Sequence, residues 1–198
     1  MAIRWIAWDL GGTLTEWSLD RHVRWLAKRY KLPRRTIERE WQHRRRLLDV
    51  SAISWKEYWD HHQRAFRTKD PHTVPKAHEI ALNAPRASTL RLVRALRPRY
   101  RMALVTNIPP NHLADIDRRV GVRKYMDVIV RSDTDHVEKP DAAYWRLLCK
   151  RTRAKPREIV VIDDLAHNAE GARAFGLHAI HFTTAARLRR DLRRLGVR

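Results

Sequence analysis

The chain has 198 residues, with 42 Lys and Arg against 22 Asp and Glu, a formal net charge of +20. Its 43% hydrophobic content and eight Trp exclude a disordered basic tail, and no apolar run approaches the ~20 residues that span a bilayer. Cys149 is the lone cysteine and Met1 to Ile6 lacks a secretory pattern, so a soluble protein of the reducing cytoplasm is expected.

Ile3 to Trp8 reads as a buried strand that stops at Asp9-Leu10-Gly11-Gly12-Thr13. From Ser18 the period becomes helical. Val23, Leu26, Ala27 and Tyr30 mark one helix, with Pro33 beyond its end, and Ile37, Trp41 and Leu48 mark a second. Ser54 and Glu57 form a capping-box pattern that opens a third, with Trp55, Tyr58, Trp59, His62 and Phe66 on one side. Thr68 to Pro75 reads as a polar loop. Five of the eight Trp fall within residues 16–85, which predicts a small core of its own.

After Pro85, helix and strand alternate. Leu90, Val93 and Leu96 lie on a helix, and Met102 to Val105 form a strand ending at Thr106. A helix after Pro109-Pro110 stops near Gly121, Val128 to Val130 is a strand, and Pro140 is placed as the first residue of a helix running to Arg151. Ile159 to Ile162 is a buried strand ending at Asp163-Asp164. A helix to Phe175, a strand over Ala179 to Phe182 and a basic terminal helix complete the chain. The expected class is α/β, a Rossmann-like parallel sheet covered on both faces, with a helical insertion. Residues 1–15 and 86–198 form the core and 16–85 the insertion.

The charge invites a nucleic-acid partner. Residues 16–85 hold 16 basic and 9 acidic residues and the remainder 26 and 13, an even density that favours a solvated basic surface over a binding patch. Arg44-Arg45-Arg46 and the six Arg of the 187–198 tail are the local exceptions.

In such sheets ligands bind beyond the carboxyl ends of the strands. Asp9, Thr106-Asn107, Lys139 and Asp163-Asp164 stand at successive strand ends. Clustered carboxylates need a cation between them, and oxygen ligands suit Mg²⁺. A lysine and a hydroxyl at a helix N-terminus suit phosphate, and a carboxylate beside both can attack phosphorus.

This set resembles the haloacid-dehalogenase-like hydrolase superfamily. The residues that carry the resemblance are Asp9-Leu10-Gly11-Gly12-Thr13, the strand end Leu104-Val105-Thr106-Asn107, Lys139-Pro140, and Val161-Ile162-Asp163-Asp164 with Asn168-Ala169-Glu170-Gly171-Ala172 downstream. The helical insertion lies where members with a type 1 cap place a lid. The resemblance implies a Mg²⁺-dependent hydrolase of a small anionic, phosphorylated metabolite. In it Asp9 is the nucleophile, and Thr106 and the Asn107 backbone hold the phosphoryl group. Lys139 neutralises charge, Asp9, the Gly11 carbonyl and Asp164 hold the metal, and Asp163 assists through water.

Gly11 departs from the pattern. The family's second Asp, which protonates the leaving group, belongs there, and general acid catalysis contributes typically ~10²–10⁴-fold. Three outcomes are compatible with Gly11: a leaving group that needs little protonation, a substitute such as His167 or His22, or lost activity. A 2-haloacid dehalogenase-type hydrolase also lacks that Asp, but carries a Tyr there and needs no metal. A silent, basic nucleic-acid-binding member is a further alternative. A phosphonatase reading needs a lid lysine, and Lys28, Lys31, Lys56, Lys69 and Lys76 are not ranked by the sequence.

His61-His62, His72 and His78 argue weakly for a lid metal site, because adjacent helical side chains point about 100° apart. Trp55 and Trp59 read as lid core, Trp17 as a residue at the hinge, and Leu188, Leu192 and Leu195 as the apolar stripe of the last helix.

Overall fold

The five apolar runs become one parallel sheet in a computed structural model describing residues 2–198. Its strands are β1 (Trp5–Trp8), β2 (Arg101–Thr106), β3 (Val128–Arg131), β4 (Ile159–Asp163) and β5 (His178–His181), in the order β3-β2-β1-β4-β5. Every pairing is parallel. Four residues of β1 are buried without a break, as expected of a central strand covered on both faces.

Alternation along β1 sends Ile6 and Trp8 to one core and Trp5 and Ala7 to the other. On the first face lie α6 (Ala87–Leu96), α7 (His112–Val120) and α11 (Ala185–Arg194). On the second lie α9 (Ala142–Thr152) and α10 (Ala166–Ala174). The order reverses at β1, with β2 on one side and β4 on the other, and this opens the crevice in which such sheets bind ligands.

Between β1 and α6 the chain folds as α1 (Leu19–Tyr30), α2 (Arg34–His43), α3 (Arg45–Asp49), α4 (Trp55–Phe66) and α5 (Thr73–Leu82). Ser18 caps α1, and the Ser54–Glu57 capping box opens α4. These helices enclose a separate core of Val23, Leu26, Ile37, Trp41, Leu48, Tyr58, Trp59 and Phe66. The chain leaves and re-enters the α/β part through a two-stranded neck. Thr15 bridges Pro85 antiparallel, with the Glu16 N–H donating to Ala84 O at 2.8 Å and the Arg86 N–H to Leu14 O at 2.9 Å.

Four local expectations are corrected. The Ile37–Leu48 helix is two helices, broken at Arg44, where φ is −121° and ψ 5°. The 68–75 loop ends earlier than expected, because α5 starts at Thr73. Pro75 lies in its first turn, where a missing N–H costs no intrahelical bond. Pro140 is not the first residue of α9, which begins at Ala142 after Asp141. A short helix, α8 (Ser132–Asp135), follows β3 where none was expected.

Candidate active site

The register of the sheet sets Asp9 and Asp163 side by side. Trp8 pairs with Ile162, and the Asp9 N–H donates to Ile162 O at 2.9 Å, so Asp9 directly follows one rigid strand and Asp163 ends its neighbour. Lys139 reaches between them from the loop before α9. Its Nζ donates to Asp9 Oδ1 at 2.7 Å, Asp163 Oδ2 at 2.6 Å and Val105 O at 3.1 Å, which uses all three ammonium protons. The lysine is only 3% exposed. Burial opposes its charge, but Asp163 and Asp9 outweigh that and hold its pKa above the usual lysine range.

The carboxylates are not equivalent. Asp163 is fully engaged: Oδ1 accepts from the Leu165 N–H and from Asn168 Nδ2, both at 3.0 Å, and Oδ2 from Lys139. Asp164 lines the cavity beside Asp9. Burial pushes the Asp9 carboxyl well up, with Lys139 opposing, and burial followed by Asp163 pushes Asp164 up to about 6. Each of the three offers an oxygen within 4.8 Å of the others. A hard divalent cation fits this all-oxygen group, since it would compensate the charge that burial penalises.

Thr106 is 2% exposed, and its hydroxyl has only a 3.4 Å contact with Asn107 O, so it is open to a ligand. The Asn107 side chain has a role of its own, apart from the one expected of its backbone. Its side chain takes the Lys139 N–H on Oδ1 and donates from Nδ2 to Lys139 O, both at 2.9 Å, which fixes the lysine's backbone.

Two glycines permit close approach. A Cβ at Gly12, where φ is +81°, would collide with the Asp164 carboxylate, and one at Gly171 would lie 2.5 Å from Pro140 Cβ. Gly171 therefore lets α10 pack against the Lys139-Pro140 loop. Gly11 is under no such constraint: its Cβ would meet Trp17 Cβ at an ordinary 3.6 Å.

The cavity holds about 460 Å³ and is lined by Asp9, Gly11, Thr106, Asn107, Lys139, Asp164 and His167 from the predicted set. His22 is corrected. It does not line the cavity but is buried against Trp41 and His78, its Nδ1 3.1 Å from His78 Nδ1, and burial lowers its pKa to about 4. Trp17, beside the neck, lines the cavity.

Several lining residues escaped the sequence reading. Arg45, Asp49 and Glu79 form a buried ion triad on the helical side, with Arg45 Nε 2.8 Å from Asp49 Oδ1 and Nη1 2.8 Å from Glu79 Oε1. His112 opens α7 opposite them and is 1% exposed. Arg45 was visible only as part of a charge run, and Glu79 and His112 carried no motif. Arg46, paired with Glu138 and with Asp141 at 2.8 Å, ties this side to the lysine loop.

Elsewhere, Glu40, His61 and His62 bring ligand atoms within 4.8 Å of one another. Arg39 already pairs with Glu40 at 2.9 Å, and Arg44 and Arg45 help lower the pKa of His62, a field that opposes a cation. His78 stacks on Trp25, and His72 precedes α5. Trp59 is buried, whereas Trp55 crosses to the α/β side, its indole N–H donating to Pro110 O at 3.2 Å.

The chain resembles a phosphorylated carbohydrates phosphatase of Thermotoga maritima, at 31% identity over 83 residues, 42% of this chain and 38% of that protein. It also resembles a phosphoglycolate phosphatase of Nitrosospira multiformis, at 29% over 79 residues, 40% and 35% of the two chains. The matched stretch thus spans well under half the length of these curated relatives. In fold it matches a HAD family enzyme of Bacteroides thetaiotaomicron with a TM-score of 0.82, 17% identity and coverage of 92% and 95%. The same enzyme in complex with magnesium and inorganic phosphate gives 0.78 and 19%, with the same coverage. The haloacid dehalogenase-like hydrolase model matches residues 3–176, so this chain belongs to the haloacid dehalogenase-like hydrolases.

Proposed function

We propose that the chain hydrolyses a small phosphate monoester through a phospho-aspartate on Asp9. The observation that carries this reading is the Lys139 ammonium held 2.7 Å from Asp9 and 2.6 Å from Asp163, with Asp164 facing the same cavity. A carboxylate oxygen of Asp9 attacks phosphorus, the bond from phosphorus to the ester oxygen breaks, and water then cleaves the acyl phosphate. The Thr106 hydroxyl donates to an equatorial oxygen, and the Lys139 ammonium beside Asp9 offsets the charge that gathers on these oxygens. Asp163, fixed by Lys139, Leu165 and Asn168, orients the lysine.

Asp9, Asp164 and the Gly11 carbonyl would hold Mg²⁺, which supplies charge neutralisation at the phosphoryl oxygens. The magnesium and phosphate complex of the Bacteroides relative supports this choice. The helices over residues 16–85 act as the lid. With glycine at position 11 the leaving-group proton comes from solvent or from His167, the candidate substitute that lines the cavity. A cytoplasmic location belongs to the same proposal, with a small anionic substrate favoured over a nucleic-acid partner.

Asp9→Asn tests it. The variant keeps the fold, measured by circular dichroism, and loses phosphate release with Mg²⁺ present. Undiminished release would overturn the mechanism.

A further inference from the structure

Along the chain the positive charge is spread evenly, but the fold gathers it. Helices α6 and α11 pack side by side on one face of the sheet. With their flanking turns, residues 86–101 and 185–198, they hold twelve Arg against one acid, Asp191, a net +11 of the chain's +20. Asp191 is already shared by Arg187 and Arg194.

Between the ends of these helices runs a groove of about 490 Å³, and none of its lining residues borders the catalytic cavity. Helix α6 ends just before β2 starts, and α11 runs back from the end of β5. The groove therefore opens where the strands begin, at the opposite end of the sheet from Asp9 and Asp163. Its floor is apolar, made by Leu92, Ala95, Leu96, Leu192 and Val197. Its rim carries Arg99, Arg189, Arg193 and Arg198, all exposed, and among the described residues none of the four is paired with a carboxylate. The walls are tied together. Arg99 Nη1 donates to Arg198 O and the Arg198 N–H to Tyr100 Oη, both at 3.1 Å, and the Val197 N–H donates to Leu192 O at 3.0 Å.

We infer that this groove docks an acidic segment of another protein, which seats apolar side chains on the floor and carboxylates on the four arginines. A guanidinium takes a carboxylate through two N–H donors at once. An apolar floor flanked by such donors matches an amphipathic acidic segment. A second copy of this chain is repelled, since it brings its own +20. A nucleic acid would use the rim alone: its sugar-phosphate backbone has nothing apolar to set on the floor, and no aromatic ring lines the groove for a base to stack on. A bilayer fits no better, because the exposed large apolar residues, Leu47 and Leu165, lie elsewhere. Docking at this end of the sheet leaves the catalytic cavity open, so the site stands whether or not the hydrolase reading does.

The probe is a fluorescein-labelled peptide repeating Glu-Glu-Leu-Leu. A Glu-Glu-Ser-Ser repeat, oligouridylate and phosphatidylserine vesicles serve as comparisons. Binding to the full chain is read by anisotropy, and by co-sedimentation for the vesicles, at about 0.15 M salt. The leucine peptide should bind at least about tenfold more tightly than the serine peptide or oligouridylate, the worth of its apolar contacts. Arg189→Glu/Arg193→Glu should weaken it about tenfold or more. Arg35→Glu/Arg64→Glu, at exposed positions of α2 and α4, changes the net charge equally and should cost less than about twofold. Circular dichroism checks each fold. Ala95→Glu, at an exposed position of the floor, puts a carboxylate there and should give the same loss if the arginine variant does not fold.

Equal binding of the serine peptide shows the floor unused and overturns the inference. So does tighter binding of oligouridylate or of the vesicles. An equal loss in Arg35→Glu/Arg64→Glu means that the peptide reads net charge alone, and this overturns it too, as does the absence of binding.

Discussion

The side-chain amide of Asn107 holds the peptide of Lys139 from both sides, accepting its N–H and donating to its carbonyl at 2.9 Å each. The end of β2 thereby fixes a loop that the chain reaches 32 residues later. Asn107→Ala leaves that peptide unpaired and lets Nζ drift from its two carboxylates. Misplacing a catalytic group by about 1 Å costs about 10²-fold. Phosphate release by Asn107→Ala should fall by that order, and a variant within twofold of wild type would show that the clamp is dispensable.

Gly11→Asp restores a carboxyl where the resemblance expects one. The backbone there is not in the left-handed region, and the new Cβ makes ordinary contact with Trp17. The variant should fold, and turnover of alkyl phosphates should rise about 10²-fold or more, the usual worth of general acid catalysis. Esters of acidic phenols, which leave without a proton, should gain little. A gain equal for both would point to a cause other than proton transfer.

His62 is buried among Tyr58, Trp59 and Phe66, with neither ring nitrogen bonded. Burial, then the charges of His61 and His43, lowers its pKa to about 3. The unfolded chain, with an ordinary imidazole pKa near 6.5, binds a proton that the native state refuses. Stability is therefore lost as pH falls from about 6.5 toward 3, at ~1.4 kcal/mol per unit. His62→Leu should be more stable than wild type at pH 7 and should keep ~2–3 kcal/mol more of its stability at pH 4.5. Urea titrations at the two pH values check this, and parallel losses in both proteins would count against it.

Five carboxylates line the cavity against three cations, although the chain as a whole carries +20. Phosphate therefore meets an acidic mouth on a basic protein. Removing divalent cations should weaken inorganic phosphate binding by at least about tenfold in calorimetry, because nothing else offsets the excess carboxylate. Equal affinity with and without chelator would mean that Lys139 suffices.

The sheet and its strand-end residues were legible because buried parallel strands are continuous apolar runs and the polar residue ending each stands out. Asp9, Thr106 and Asp163-Asp164 follow that rule, whereas Lys139 lies beyond α8 in the loop before α9 and reaches back to the strand ends from there. The helical wall was not legible. Glu79 lies on α5, which carries a proline in its first turn and alternates apolar and polar residues too weakly to show a face. His112 follows a proline pair, and its neighbourhood depends on how α5 sits over α7. Asn107 was assigned by its place in a motif, and a motif does not show which way an amide side chain turns. His22 was chosen as a residue early in the insertion, but the helix carries it into the helical core instead.

The neck at Thr15 and Pro85 has a consequence for how this chain folds and changes. Strand β1 must find β2 across some ninety residues, as the pairing of Trp5 with Arg101 requires. The neck joins the ends of the insertion, so those residues form one closed loop whose entropic cost grows only with the logarithm of its length, about 0.6 kcal/mol per doubling. The α/β part is therefore nearly indifferent to how many residues the insertion holds. Helices can be lengthened, exchanged or lost there while the strands keep their register, so the helical wall of the cavity is free to diverge as the strand-end residues stay fixed.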